Sequence, residues 1–82
     1  MDKSFHLQKL GQALKAMRTN RGLTQEVLAG LAGVTRLKVI AMEAGRSSVA
    51  MESYARLAGA LGAELTLSPR TRPTLDELKA FQ

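Results

Sequence analysis

Residues 23–45 constrain the fold of this 82-residue chain more than any other segment, because they predict two short helices joined by a tight turn. Thr24 and Thr35 stand where a hydroxyl N-cap would accept hydrogen bonds from the first free N–H groups of each helix. Gly33 fits the position just past a helix end, where a positive φ costs least. The segment therefore predicts two helices folded against each other, an arrangement that can place the second helix in the major groove of DNA.

Apolar residues at helical spacing extend this pattern to four helices, over about residues 6–20, 24–31, 36–44 and 51–61. A chain of this length has room for one small domain with a single modest core. The residues expected to face that core are Leu7, Leu10, Leu14 and Met17, then Leu28, Ala29 and Ala32, then Val39 and Met42, and finally Met51, Tyr54, Ala55, Leu57, Ala58 and Leu61.

After Gly62 the apolar period changes from helical to alternating. Ala63, Leu65 and Leu67 alternate with polar residues up to Pro69, which is typical of a strand with one apolar face. A strand of about six residues needs a partner for its backbone, and the simplest partner is its own copy across a two-fold axis. Leu65 and Leu67 are therefore predicted to lie in an antiparallel sheet between two subunits. The alternative is an extended tail lying on the first helix.

The last residues predict a short helix after a hinge at residues 70–73. A capping box begins at Thr74, with a glutamate at the third helical position. Leu75, Leu78 and Phe81 can then form one apolar stripe. Eight residues are too few for a helix that is stable by itself, so this tail is expected either to dock onto a surface or to stay without fixed structure.

Basic residues are concentrated on the segment that predicts the two short helices. The net charge is +5 and the isoelectric point is near 10.3, which suits a polyanionic partner. One Tyr, two Phe and no Trp are too few for the aromatic platforms of single-strand and RNA binders, so duplex DNA is the expected partner. Between residues 15 and 46, Glu26 and Glu43 are outnumbered by Lys15, Arg18, Arg21, Arg36, Lys38 and Arg46.

Nothing in the composition predicts catalysis, a metal site or a cofactor. The chain has no cysteine, and His6 is its single histidine, without paired acids at metal-ligand spacing. The absence of cysteine is compatible with a reducing cytoplasm. No apolar run is long enough to span a membrane, and the N-terminus does not have the pattern of a signal peptide, so a cytoplasmic protein without membrane partners is expected.

Several short motifs together resemble the phage repressor/Cro family of helix-turn-helix proteins, also called the XRE family. They are "LTQEVLA", the "AGV" turn, the "T-x-x-x-V" opening of the next helix and the closing "ME-x-G", with Arg18 upstream and "LAGALG" downstream. The resemblance covers roughly residues 7–62. It implies an all-α, four-helix repressor-type helix-turn-helix domain, and a protein that binds double-stranded DNA and is not an enzyme.

The resemblance also assigns seven residues to DNA. Gln25 matches a glutamine that meets a phosphate at a helix N-terminus. Arg36 can grip guanine O6 and N7, and Leu37 can touch a thymine methyl group. Lys38 and Arg46 are expected on phosphates. The full expected set is Gln25, Thr35, Arg36, Leu37, Lys38, Ala41 and Arg46.

Four further positions are interpreted against the family pattern. Arg18 and Glu43 match positions that form a partly buried ion pair, so Arg18 is assigned to structure and not to DNA. Ile40 departs from a position that is commonly polar, and Ala50 departs from one where Ser or Thr usually caps the fourth helix.

The leading hypothesis is a homodimeric, sequence-specific repressor on a palindromic operator, controlling its own operon. Residues 1–62 would be the DNA-binding domain, and residues 63–82 would serve dimerisation or partner binding. Residues 63–82 also resemble HipB-type antitoxins, which bind a kinase-like toxin. The alternative is an interaction module that sequesters a protein partner with little DNA binding, which the apolar Leu37 and Ile40 favour.

Overall fold

Four helices and no strand make up residues 3–67, which are the residues that the computed structural model describes. Side chains are described from His6 onward. The helices are α1 (Lys3–Asn20), α2 (Gln25–Ala32), α3 (Arg36–Glu43) and α4 (Met51–Ala60). The predicted all-α, four-helix arrangement is confirmed.

Local capping fixes where α2 and α3 begin. The hydroxyl oxygens of Thr24 and Thr35 each accept a hydrogen bond of 3.1 Å, from the Val27 and Lys38 amides respectively. Gly33 ends α2 with a φ of 71°, in the left-handed region where a side chain would be strained. The turn between the two helices is therefore determined by residues of the turn itself.

The core lies where α2 packs against α3 and α4, and α1 packs against α3. Burying this apolar surface is the main favourable contribution to folding of so small a domain. The buried apolar residues are Leu14, Leu28, Ala29, Ala32, Val39, Met42, Tyr54, Leu57, Ala58 and Leu61.

Gly11 allows α1 to approach the end of α3 closely. A Cβ atom at this position would lie 2.7 Å from the carbonyl oxygen of Glu43, and closer still to that of Met42. Such contacts are too short for any other residue type. Gly11 and Arg18 lie two turns apart on α1 and share a face, so the same approach brings Arg18 beside Glu43.

The inward face of α4 differs from the expected one at three positions. Met51 and Ala55 are exposed, and Ser53 is buried in their place. Met51 is the first residue of α4, and helical side chains lean toward the N-terminus, so its side chain projects past the end of the core. The helix turns slightly toward Ser53, which leaves Ala55 outside.

The helix ends also differ slightly from prediction. Helix α1 begins at residue 3, before the expected residue 6, while α3 and α4 each end one residue earlier than expected. Fraying of this size is ordinary at helix termini.

Residues 63–67 follow α4 without regular secondary structure. Leu65 packs against the core, whereas Leu67 is fully exposed. The expected strand would pair between two subunits, which one chain does not contain, so that pairing stays a prediction. The predicted tail helix over residues 74–81 lies outside the described residues.

Candidate nucleic-acid interface

Helix α3 divides into a buried face and an exposed face. Val39 and Met42 are fully buried in the core. On the other side, Arg36, Leu37 and Lys38 are exposed in the first turn, and the side chain of Leu37 is 77% accessible. The three consecutive residues assigned to DNA from the sequence therefore lie at the free N-terminal end of this helix.

Apolar residues continue the exposed face of α3 toward its C-terminus. Ile40, 36% accessible, and the half-buried Ala41 lie three and four residues after Leu37, which places all three on one side of the helix. An aliphatic strip beside the Arg36 guanidinium can contact thymine methyl groups, or it can contact a protein.

An open depression of about 580 Å³ lies in front of the N-terminus of α2. Free backbone N–H groups at a helix start, and the positive end of the helix dipole, favour an anion there. The basic side chains of Lys15 and Arg36 reach the same depression from α1 and α3. The remaining lining residues are Arg18, Leu23, Thr24, Gln25 and Glu26.

Arg18 and Glu43 form a bidentate ion pair beneath this depression. Arg18 Nε lies 2.6 Å from Glu43 Oε2, and Arg18 Nη2 lies 3.1 Å from Glu43 Oε1. The two side chains are only 11% and 4% accessible. Arg18 Nη1 also donates to the Leu23 carbonyl oxygen at 2.8 Å, so one guanidinium joins α1, the turn before α2 and the end of α3.

Gln25 joins the same network, which the sequence did not predict. Its Nε2 donates to Glu43 Oε1 at 3.1 Å, linking the first residue of α2 to the last residue of α3. An amide nitrogen has two hydrogens, so one remains for a phosphate while the other holds Glu43. No local pattern could reveal this contact, because the two residues are 18 positions apart.

The loop after α3 is held by a buried tyrosine. Tyr54 Oη donates to the Arg46 carbonyl oxygen at 3.2 Å, and the Arg46 amide donates to the Ala41 carbonyl oxygen at 3.0 Å. Burial of the phenol removes water from around it and raises the pKa of Tyr54 above its ordinary value of 10.0. The backbone of Arg46 is thereby fixed, while its side chain is exposed.

The positive charge of the interface survives the internal pairing. Arg18 is neutralised by Glu43, but the other basic side chains between residues 15 and 46 are exposed, against the single remaining carboxylate of Glu26. Those exposed basic residues are Lys15, Arg21, Arg36, Lys38 and Arg46.

A family model described as a helix-turn-helix domain matches residues 9–79, most of the chain. The chain belongs to the helix-turn-helix family. It is 47% identical over 51 residues to an uncharacterized HTH-type transcriptional regulator of Methanothermobacter thermautotrophicus strain Delta H, covering 62% of this chain and 74% of that protein. It also resembles the crystal structure of the restriction-modification controller protein C.AhdI from Aeromonas hydrophila, with 42% identity and a TM-score of 0.66, over 72% of this chain and 89% of that one.

These relatives place this helix-turn-helix protein in the XRE group and make it a DNA-binding regulator of transcription, not an enzyme. Across the described stretch, no helix is long and apolar enough to cross a membrane. That same stretch brings no three His, Cys, Asp or Glu side chains together around a common point.

The helix-turn-helix protein gathers most of the residues singled out from its sequence on one side. Gln25 and Arg36 line one depression, and Leu37 and Lys38 follow on α3. Thr35 lies at the start of that helix as its cap. The contacts made by Gly11, Gln25 and the Tyr54 hydroxyl group were not anticipated, since each depends on a neighbour distant in sequence.

Proposed function

We propose that this protein is a sequence-specific repressor that binds duplex DNA as a homodimer, with α3 in the major groove. The observation that carries the proposal is the exposed N-terminal turn of α3, where Arg36 stands beside an aliphatic face on a helix whose other side is buried. A planar guanidinium there can bind guanine O6 and N7 together, a contact that discriminates by about 1–3 kcal/mol.

Phosphate contacts would set the position of α3 in the groove. The start of α2, with the second amide hydrogen of Gln25, faces one side of the helix pair, and Lys15 carries positive charge to the same depression. Lys38 and Arg46 supply further exposed charge near α3. The hydroxyl hydrogen of Thr35 is also available, because its oxygen acts as the acceptor in the cap.

Two subunits would read two half-sites. A single recognition helix contacts few base pairs, and duplication across a two-fold axis turns a short site into a palindromic operator. The predicted pairing of residues 63–68 between subunits would supply that axis.

Selection from a pool of random duplexes tests this proposal for any operator sequence. We expect enrichment of an inverted repeat that the protein binds roughly a thousandfold or more tightly than a scrambled duplex. Arg36→Ala should lose most of that ratio, while Arg56→Ala, which removes the same charge from the surface of α4, should retain it. A pool that yields no common sequence would overturn the proposal.

Autoregulation is the next part of the proposal. The chain is similar over most of its helix-turn-helix region to a restriction-modification controller, so we propose that its operator lies upstream of its own gene. Footprinting of that upstream duplex tests this separately, since a protein with a defined operator elsewhere in the genome would still be a repressor. The antitoxin role, with a kinase-like toxin as partner, has only the sequence of residues 63–82 behind it.

An interaction module remains the second candidate because Leu37 and Ile40 expose aliphatic surface on α3. The random-duplex selection separates the two functions. A module that only sequesters a protein would enrich no sequence.

A further inference from the structure

A second depression shares no lining residue with the positively charged one, and its lining is apolar. It occupies about 460 Å³ between the start of α1, the start of α4 and the end of the described chain. We call it the apolar groove, lined by His6, Leu10, Met51, Leu65, Thr66 and Leu67.

The groove exposes more apolar surface than a small monomeric domain ordinarily leaves to water. Met51 is 67% accessible and Leu67 is fully accessible, and both lie on its rim. Leu10 and Leu65 form its floor and also pack against the core. A contiguous apolar surface of this kind marks a site that another apolar element covers.

We propose that the apolar groove is the docking site of this chain's own residues 74–81, which bind it as a short helix through Leu75, Leu78 and Phe81. The first argument is where the described chain ends. Leu67 is both the last described residue and part of the rim. The stripe begins eight residues later, and an extended chain of that length spans about 26 Å, enough to return to the groove.

The second argument is that each half lacks what the other supplies. The sequence from Thr74 carries a hydroxyl N-cap, a glutamate three residues later and apolar residues at helical spacing, but it is too short to be a helix in water. The groove offers the apolar surface that such a helix needs. Because the segment is tethered, its effective concentration at the groove is of millimolar order, well above that of a second subunit in dilute solution.

Docking of the tail is compatible with pairing of residues 63–68 between subunits. Pairing uses the backbone edge of that segment, whereas the groove uses the side chains of Leu65 and Leu67. The tail would thus cover one face of a strand whose edge meets the partner subunit.

Tryptophan fluorescence tests the proposal directly, since the chain contains no tryptophan. In full-length Phe81→Trp we expect a blue-shifted emission from a buried indole. Adding Met51→Glu should return the emission to that of a water-exposed indole. An acidic residue in the first turn of α4 suits the helix dipole, so the fold should survive this change. Val27→Glu is the matched control, because it adds the same charge in the first turn of α2, outside the groove.

Two further results decide between the chain's own tail and other occupants. Dilution should leave the blue shift unchanged, and mixing the Phe81→Trp/Met51→Glu chain with unaltered chains should not restore it. Restoration would show that the tail binds the partner subunit's groove and would overturn the proposal, as would a water-exposed emission in Phe81→Trp alone. In the unaltered protein, amide exchange at residues 75–81 should be slowed about tenfold or more, and Met51→Glu should abolish that protection.

Discussion

Among single residues, Arg18 and Glu43 hold three elements together with one charged contact. The pair lies almost wholly out of water, and Gln25 adds a further hydrogen bond to the same carboxylate. A buried pair of this kind contributes less by its presence than it costs to break, because removal of one partner leaves the other charge buried alone.

Replacing the cation of this pair should therefore be severe. Arg18→Met leaves the Glu43 carboxylate without its ion partner, and we expect a loss of about 3–5 kcal/mol in the free energy of unfolding, measured with urea. Arg18→Met/Glu43→Leu should recover much of that loss. Arg56→Met, which breaks the exposed pair with Glu52, should cost no more than about 1 kcal/mol. Equal losses in Arg18→Met and Arg56→Met would contradict this view of the pair.

Tyr54 gives the protein a dependence on alkaline pH. Its folded-state pKa is raised, so the folded protein holds the phenolic proton more tightly than the unfolded chain does. The stability due to this difference is present below the ordinary pKa of 10.0 and is lost as the pH rises through the folded value. Tyr54→Phe should lose about 0.5–1.5 kcal/mol near neutral pH, for want of the hydrogen bond to Arg46.

The gap between the two proteins should then narrow above about pH 10, because only the unaltered chain has a phenol to ionise. Urea unfolding of both at neutral and at alkaline pH measures it. A gap that stays constant would mean that the hydroxyl group does not titrate in this way.

Among the helices, the caps distinguish α4 from the two elements before it. Thr24 and Thr35 cap α2 and α3, whereas Ala50 makes no side-chain hydrogen bond at the start of α4. The backbone of Ala50, at φ −66° and ψ 148°, already has the extended conformation of an N-cap.

Ala50→Ser should accordingly stabilise the protein by about 0.5–2 kcal/mol, since the hydroxyl oxygen can accept from a free amide in the first turn of α4. Thermal unfolding followed by circular dichroism measures the gain, and Thr35→Ala should show a loss of similar size. If Ala50→Ser leaves the melting temperature unchanged, α4 does not need the missing cap.

The elements also show where sequence reasoning succeeded. Caps and turns depend on residues a few positions apart, so Thr24, Gly33 and Thr35 were sufficient to place α2 and α3. The face of α4 was harder, because Met51 fits the helical period but lies beyond the end of the core. A small polar residue such as Ser53 carries no apolar signal, although it is buried.

Contacts between elements were the least predictable part of the candidate site. The Arg18–Glu43 pair was expected only because the motif resembles a family. Gln25 was expected to meet phosphate alone, but it also holds Glu43, a contact that depends on how α2 and α3 cross. The same dependence on packing hid the close approach at Gly11.

Across the whole molecule, two surfaces of the described chain divide the expected tasks. The positively charged face contains α2 and α3, and the apolar groove lies where α1, α4 and residues 65–67 meet. Separation of the two surfaces would allow the C-terminal residues to assemble the protein without obstructing DNA.

Truncation tests this division. Residues 1–68, which retain the predicted strand, should sediment as a dimer, whereas residues 1–62 should sediment as a folded monomer with weaker operator binding. The loss follows from removal of the backbone edge that two subunits would share. A dimer of undiminished stability in residues 1–62 would place the interface elsewhere and rule out Leu65 and Leu67 as its strand.

Base reading by Arg36 on α3, once in each of two subunits, is what the proposed function depends on. It can be measured by scanning the selected operator one base pair at a time, with affinities of the unaltered protein and of Arg36→Ala. We predict that Arg36→Ala loses discrimination at one guanine in each half-site, at two symmetric positions about one helical turn, ~34 Å, apart. Lys38→Ala should instead weaken all sequences alike and lower the salt dependence by about one phosphate contact. An unchanged pattern of base preference in Arg36→Ala would contradict base reading by this residue.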